Sequence, residues 1–513
     1  MVEVGCSSLE LEGIKDIVFD GKKIELTNEL IDRVIDSYQF LAEFSKDKVI
    51  YGINTGFGPM AQYKIEEEDQ LQLQYNLIRS HASGFGKPLS PMDVKASMIA
   101  RMNTLSLGYS GVHISAVTIL KELINNDVTP LIFEHGGVGA SGDLVQLAHL
   151  ALVMIGEGQV FYKGELRSTS EVFNELNIEP LNVHIREGLA IMNGTSVMTG
   201  IGIVNSIYAQ RTIEWSLMAT LMICEMVDSY DDYFSKELNQ SKKHYGQQQV
   251  ASVLYEYMAD SKYIRKREAN LYKGNTEETH FADKVQEYYS LRCVPQIVGT
   301  ILETVKQSQK LLVEEINSAN DNPIVDIEAK NVYHGGNFHG DYVSFEMDKL
   351  KIAITKLSML AERQINFLMN PALNGVLPPF ANIGKLGFNF GMQGVQFTAT
   401  STTAENQTLS NPMYIHSIPN NNDNQDIVSM GTNAATMTRK VIENTFEVLS
   451  IEMISIVQSI DLLDKSSGLS AKAKEIYSRI RNIVPEFIDD YPIYGDLKKV
   501  KEHLMNNSPI NNL

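Results

Sequence analysis

The sequence predicts a mostly α-helical protein: a long helix bundle joined to a glycine-rich N-terminal portion. Three features carry that prediction. Residues 342–370 contain neither Gly nor Pro, and between Glu214 and Tyr272 only Gly246 interrupts, with no Pro. Apolar side chains in the first of these stretches recur in steps of three and four. Strand signals are few, confined to Ile17-Val18-Phe19 and Val160-Phe161-Tyr162, each near a glycine turn.

Taken in chain order, the N-terminal third is punctuated by glycine. The clusters Gly52 to Gly58, Gly84-Phe85-Gly86 and Gly136 to Gly142 read as ordered loops between helices. A helix from Asp143 to Ile155 follows the last of them. Further on, Met347, Leu350, Ile354, Leu357, Ala361, Ile365 and Leu368 fall on one face of a long helix that Pro371 stops. Ile442 to Leu463 is a second long helix. Its density of Val448, Leu449, Ile451, Met453, Ile454, Ile456 and Val457 implies burial on several sides. Seams of this kind often bury against other subunits. No internal repeat or low-complexity linker appears. The expected division is a loop-bearing portion, 1–200, and a long-helix portion, 201–513.

Composition narrows the function. Hydrophobic residues at 43% and charged residues at 21% suit a soluble globular protein with a large core. A formal net charge of -19 argues against nucleic acid or an anionic membrane as the main partner. Cys6, Cys224 and Cys293 are scattered and form no CxxC pair, so neither a disulfide scaffold nor a cysteine zinc site is expected. Neither a signal peptide nor a membrane-spanning run is legible, and a reducing cytoplasm is the default.

The segment His135 to Asp143 carries the most chemical information. Gly137, Gly139 and Gly142 match the GxGxxG dinucleotide fingerprint, and Glu165 stands about 20 residues on, where a ribose-binding acid would sit. The context disfavours that reading, because the surroundings are helical and lack an alternating βαβ pattern. A nucleotide oxidoreductase is therefore not expected. A chemical reading is open instead. The nitrogen of Gly142 can attack the Ala140 carbonyl carbon, since glycine allows so close an approach. Loss of one water closes a five-membered ring, and loss of a second from Ser141 leaves an exocyclic methylene. That is a carbon electrophile, which ordinary side chains do not provide. For an isolated Ala-Ser-Gly, an inert turn is the commoner outcome.

The tripeptide is not isolated. Tyr51-Gly-Ile-Asn-Thr-Gly-Phe-Gly58, Asn76-Leu-Ile-Arg-Ser-His81, Gly136 to Leu144, Asn193-Gly-Thr195, Tyr289-Ser-Leu-Arg-Cys293, Ser318-Ala-Asn-Asp-Asn-Pro323, Gly335-Gly-Asn-Phe-His339, Ala404-Glu405 and Asn424-Gln425-Asp426 accompany it. With these motifs the chain resembles the aromatic amino-acid ammonia-lyase family, which includes histidine, phenylalanine and tyrosine ammonia-lyases. The resemblance implies a methylidene-imidazolone (MIO) made autocatalytically from Ala140-Ser141-Gly142. It also implies a mostly helical ammonia-lyase-like fold, and a homotetramer whose active sites each draw on three subunits.

The same resemblance implies the site residues. Tyr51, in a glycine-rich loop able to close over substrate, is the base that removes a β-proton. A phenol holds its proton at neutral pH, so that role needs donors or cations nearby. Arg292 pairs with the substrate carboxylate, which a guanidinium fork suits. Asn193 bonds the electrophile and the amine, Tyr289 lies close to the electrophile, and Glu405 is the acid near the substrate amine. Phe338 packs on the imidazolone, and Asn322 and Gln425 line the carboxylate region.

In the family the pair matched by Ser80-His81 faces the substrate ring and decides specificity. Phenylalanine lyases resemble Phe-Leu there, many tyrosine lyases His-Leu, and histidine lyases Ser-His. Two departures point away from histidine: Gln286-Glu287-Tyr288-Tyr289 replaces Gln-Asp-Pro-Tyr, and Asn424-Gln425-Asp426-Ile427-Val428 lacks the histidine-lyase Asn-Gln-Glu-Asp-His pattern. The whole chain is also similar to bacterial tyrosine ammonia-lyases that carry Ser-His. A neutral imidazole can bond a phenol hydroxyl. The expected substrate is L-tyrosine, with histidine and an aminomutase reaction as alternatives. A catalytically dead helical oligomer is the alternative from another class. His334 and His339 have the wrong spacing for one helical face, and no metal is expected.

Overall fold

The computed structural model of the chain describes residues 1–5, 8–272, 279–281, 284–510 and 513. It divides into two compact units. The first comprises Met1–Asn205, Ser308–Asp348 and Pro412–Arg439, and the second Ser206–Gln307, Lys349–Asn411 and Lys440–Leu513.

In the first unit, helices are stopped and started by local capping. Thr27 opens the helix Asn28–Phe44 by accepting from the Leu30 N–H, and Ser90 with Pro91 opens Pro91–Ser106 by accepting from the Asp93 N–H. Pro91–Ser106 is buried on all sides, including Lys95 and Arg101. The expected helix after the glycine cluster is present as Leu144–Met154. The sheets are small. Gln159–Tyr162 pairs with Glu165–Ser168 across Lys163-Gly164, both with positive φ, the geometry of a tight hairpin turn. Val160-Phe161-Tyr162 is thus a strand, as expected.

Two local expectations are corrected. Ile17-Val18-Phe19 is not a strand: Ile17 and Val18 end the helix Leu11–Val18 and share a buried face with Ile14. Spacing of three and four outweighed the β-branched pair. The strand lies further on, at Ile24–Leu26, parallel to Val2–Val4. Gly84-Phe85-Gly86 is not simply a loop either. Phe85–Pro88 forms an irregular strand antiparallel to Phe133–His135, a partner that local sequence could not announce. That second strand does precede the 137–142 glycines, contrary to the expected helical surroundings. Its pairing is antiparallel, so it forms no βαβ unit and the dinucleotide context is still missing.

The second unit takes in most of two long helices, from Lys349 and from Lys440 onward. The helix Asp341–Met369 buries all seven predicted seam residues at 0% exposure. The helix Gly431–Leu462 buries Val448, Leu449, Ile451, Met453, Ile454, Ile456 and Val457, which lie on more than one face. Each such side chain contributes about 1.5–3 kcal/mol relative to exposure. Cys224 is buried and Cys293 half-buried, both unpaired, while Cys6 lies outside the described residues. Among the described residues no helix is long and apolar enough to cross a membrane.

Candidate active site

A cavity of about 790 Å³ opens in the first unit. Its wall includes Tyr51, Ser80, His81, Ala140, Ser141, Asn193, Asn322, Phe338 and Gln425, nine of the residues singled out in the sequence.

The loop that presents Tyr51 is tied down from several directions. Asn54 closes it locally, accepting from the Ile50 N–H at 2.9 Å and donating to the Lys48 carbonyl at 2.8 Å. Gln74 donates to the Gly52 carbonyl at 3.1 Å. The Gly58 N–H donates to Tyr51 Oη at 3.0 Å, so the loop folds back onto its own phenol. The Tyr51 N–H points at His334 Nε2, 3.4 Å away. Burial and the Arg186 guanidinium lower the His334 pKa, which keeps that nitrogen an acceptor.

Ala140-Ser141-Gly142 lies in a tight turn. Gly142 has φ +65, and a Cβ on it would sit 1.9 Å from the Gly194 carbonyl oxygen, so no other residue fits. The Gly194 N–H donates to the Ser141 carbonyl at 3.3 Å, and the Asp143 N–H to the Gly194 carbonyl at 2.8 Å. The Ser141 hydroxyl accepts from Gln425 Nε2 at 2.8 Å. Asp143 anchors the end of the turn. Its carboxylate takes the Val197 and Met198 N–H groups at 2.8 and 2.9 Å, at the start of the helix Ser196–Met226, and the Thr432 hydroxyl. Burial pushes the Asp143 pKa up to about 6, against those donors and the Arg101 guanidinium.

Asn193 follows the helix Glu187–Met192, and its own N–H donates to the Leu189 carbonyl at 2.9 Å. Arg101 Nη1 holds its carbonyl at 2.9 Å. Arg101 is fully buried, and that burial lowers its pKa to about 10. The Asn193 side chain donates through Nδ2 to Asp321 Oδ1 at 3.2 Å and to the Asn322 carbonyl at 3.3 Å. Asp321 in turn forms a two-point ion pair with Arg186 at 2.8 and 3.0 Å, with both side chains at 0% exposure.

Also in the cavity wall, Ser80 and His81 end the helix Glu67–His81. His81 Nδ1 lies 3.0 Å from the Leu77 carbonyl oxygen, which can only accept. A neutral ring therefore carries its proton on Nδ1 and leaves Nε2 as an acceptor. Leu73, Leu77, Leu144 and Leu189 supply apolar surface nearby. Asn322 Oδ1 accepts from the Gly335 N–H at 2.8 Å, which fixes the segment leading to Phe338.

Tyr289, Arg292 and Glu405 are not among the cavity's lining residues and belong to the second unit. Tyr289 is 69% exposed. Arg292 stacks on it at 4.8 Å and bonds Gln286 Oε1. Glu405 accepts from Asn444 Nδ2 at 2.7 Å. Among the described residues no Lys or Arg lines the cavity. His334 and His339 have separate partners: His334 faces the Tyr51 N–H, and His339 faces Asp341 at 3.0 Å.

Several residues that shape the site escaped the sequence reading. Asp321 lay inside a quoted motif without being singled out. Arg101 carried a legible signal, a charge within the apolar run Met98-Ile99-Ala100 and Met102. Arg186 had none, because its importance depends on a partner 135 positions away.

The chain matches the family described as Aromatic amino acid lyase over residues 9–482. It is 36% identical to a tyrosine 2,3-aminomutase of Chondromyces crocatus, over 96% of this chain and 94% of that protein. It is likewise 36% identical to a probable histidine ammonia-lyase of Thermoplasma volcanium, over 100% of both. Its structure is similar to the crystal structure of tyrosine aminomutase from Streptomyces globisporus, with a TM-score of 0.94 and 34% identity over 98% of this chain and 96% of that one.

Proposed function

Since the chain belongs to the aromatic amino acid lyase family, and so to the carbon–nitrogen lyases of the ammonia-lyase class, we propose that it eliminates ammonia from L-tyrosine to give trans-p-coumarate. The observation that carries this reading is the shared cavity. Tyr51, Ser141, His81, Asn193 and Gln425 come from distant parts of the chain and line one space.

The residues at 140–142 fit an MIO. Gly142 leaves room for the backbone approach and nothing more, and the Ser141 hydroxyl has a donor, Gln425, to assist its departure. When present, that group supplies the electrophilic carbon that makes an amine a better leaving group. The chain's side chains do the rest. Tyr51, held by the Gly58 N–H, takes the β-proton. His81 Nε2 accepts the phenol O–H of the substrate, and the leucines around it take the ring. Phe338 lines the same cavity and would pack against that group, and Asn322 and Gln425 would border the carboxylate region.

The substrate carboxylate needs a cation, and no Lys or Arg among the described residues lines the cavity. We therefore assign Arg292, Tyr289 and Glu405 to neighbouring copies in a homotetramer with shared sites, working in the cytoplasm. The likeness to tyrosine 2,3-aminomutases favours a second reading, in which the ammonia returns at the β-carbon. A panel of tyrosine, phenylalanine and histidine decides, with the conjugated acid read by ultraviolet absorbance and β-amino acids by chromatography. Efficient histidine turnover overturns tyrosine, and accumulation of β-tyrosine overturns the lyase outcome.

A further inference from the structure

We infer that Asp321, locked by Arg186, is a positioning residue that turns the Asn193 amide so that its carbonyl oxygen, and not its NH₂, serves the substrate amine. The inference rests on the proposed elimination of an amine, but not on which aromatic ring the substrate carries.

The orientation of an amide is set by what surrounds it. Asn193 Nδ2 lies 3.2 Å from Asp321 Oδ1 and 3.3 Å from the Asn322 carbonyl oxygen. Both neighbours are acceptors, and Asp321 forms an ion pair with Arg186. Rotating the amide by half a turn would set Oδ1 against two acceptor oxygens. Nδ2 therefore faces both acceptors, and Oδ1 has no partner among the described residues. Asn193 lines the cavity beside Ala140 and Ser141. An ammonium offers only donors, so a carbonyl oxygen suits it and an NH₂ would repel it.

Asp321 cannot relax out of this role. Oδ1 also accepts from the Asn322 N–H at 2.6 Å, and Arg186 grips both carboxylate oxygens while donating to the Ser110 carbonyl at 2.6 Å. A fully buried ion pair is weak as a source of stability, because desolvation offsets most of the attraction and apolar residues of like volume serve as well. Orientation gives this pair a use that stability does not.

The test measures ligand binding by calorimetry in a Ser141→Ala background, where substrate is held without turnover. The probes are L-tyrosine and trans-p-coumarate, the second lacking the amine and one β-hydrogen, with L-histidine and urocanate substituted if the unmutated enzyme deaminates histidine. Adding Asn193→Ala or Asp321→Asn should each weaken the amine-bearing ligand about 10-fold, the scale of one hydrogen bond to a charged group. The amine-free acid should change by no more than about 2-fold, within the scatter of a neutral change. The double variant should be no weaker than the worse single one, as expected if Asp321 acts through Asn193. Equal weakening of both ligands, or losses that multiply, would overturn the inference. If Asp321→Asn does not fold, Arg186→Lys carries the same test, since it frees one carboxylate oxygen while keeping the charge. Turnover by the unmutated enzyme tests the proposed function separately.

Discussion

Replacing His81 by phenylalanine removes one hydrogen-bond acceptor from the end of the cavity proposed to take the aryl ring. His81 Nδ1 lies 3.0 Å from both the Leu77 carbonyl oxygen and the Ser80 hydroxyl, which leaves Nε2 as the acceptor for the proposed tyrosine hydroxyl. The neighbouring Leu73, Leu77, Leu144 and Leu189 offer that hydroxyl nothing. Left unpaired in an apolar wall, it costs about 1–3 kcal/mol. Phenylalanine as substrate bears no such penalty and gains ring contact. At about 1.4 kcal/mol per factor of ten, the ratio of kcat/KM for tyrosine over phenylalanine should fall about 10-fold or more. Initial rates from the absorbance of the two conjugated acids measure that ratio, on protein whose circular dichroism matches the parent. An unchanged ratio would refute the assigned role of His81 while leaving the elimination chemistry untouched.

Other expectations are as concrete. Ser141→Ala cannot lose its side-chain water, so its intact mass should fall short of its sequence by no more than one water while the parent lacks two; activity should fall by orders of magnitude, and near-normal turnover would rule out a self-made electrophile. Tyr51→Phe should lose kcat with KM little changed, as for a group needed in the transition state; mixing its refolded chains with Arg292→Met chains should give activity above the sum of the two parents, and no recovery would argue against sites shared between copies. Asp143 has its pKa raised from 3.8 to about 6, so the folded chain holds that proton more tightly than the unfolded one. Stability should therefore fall as pH rises from about 4 to about 6, by about 3 kcal/mol at about 1.4 per unit, and then level. Asp143→Asn, whose amide can still accept from Val197 and Met198 and donate to Thr432, should lack that fall in denaturant titrations; parallel curves for the two proteins would contradict it.

The helices were legible because burial of one face imposes a period on the sequence. Met347 to Leu368 announced the helix Asp341–Met369, and Val448 to Val457 announced the core of Gly431–Leu462. Ile17-Val18 misled because two β-branched residues are too short a run to separate strand from helix, and Ile14 settles the matter only once the packed face is known. Phe85–Pro88 was hidden because a strand of that length exists only through its partner. Nothing local reveals that Ser308–Asp348 and Pro412–Arg439 join the first 205 residues in one unit.

The sequence by itself determined which groups the proposed chemistry can draw on: an Ala-Ser-Gly, a tyrosine in a glycine-rich loop, and a Ser-His pair, all carried by short motifs whose residue types are set by the atoms they offer. Only the tertiary structure decided how those atoms meet. Gln425 reaches Ser141 across 284 positions. The Asn193 amide is turned by a carboxylate 128 positions away, which a buried arginine from yet another segment holds still. Covalent chemistry is local and leaves its mark in neighbouring letters. Orientation comes from acceptors and charges brought together by burial, and their separation along the chain leaves no mark until the chain is folded.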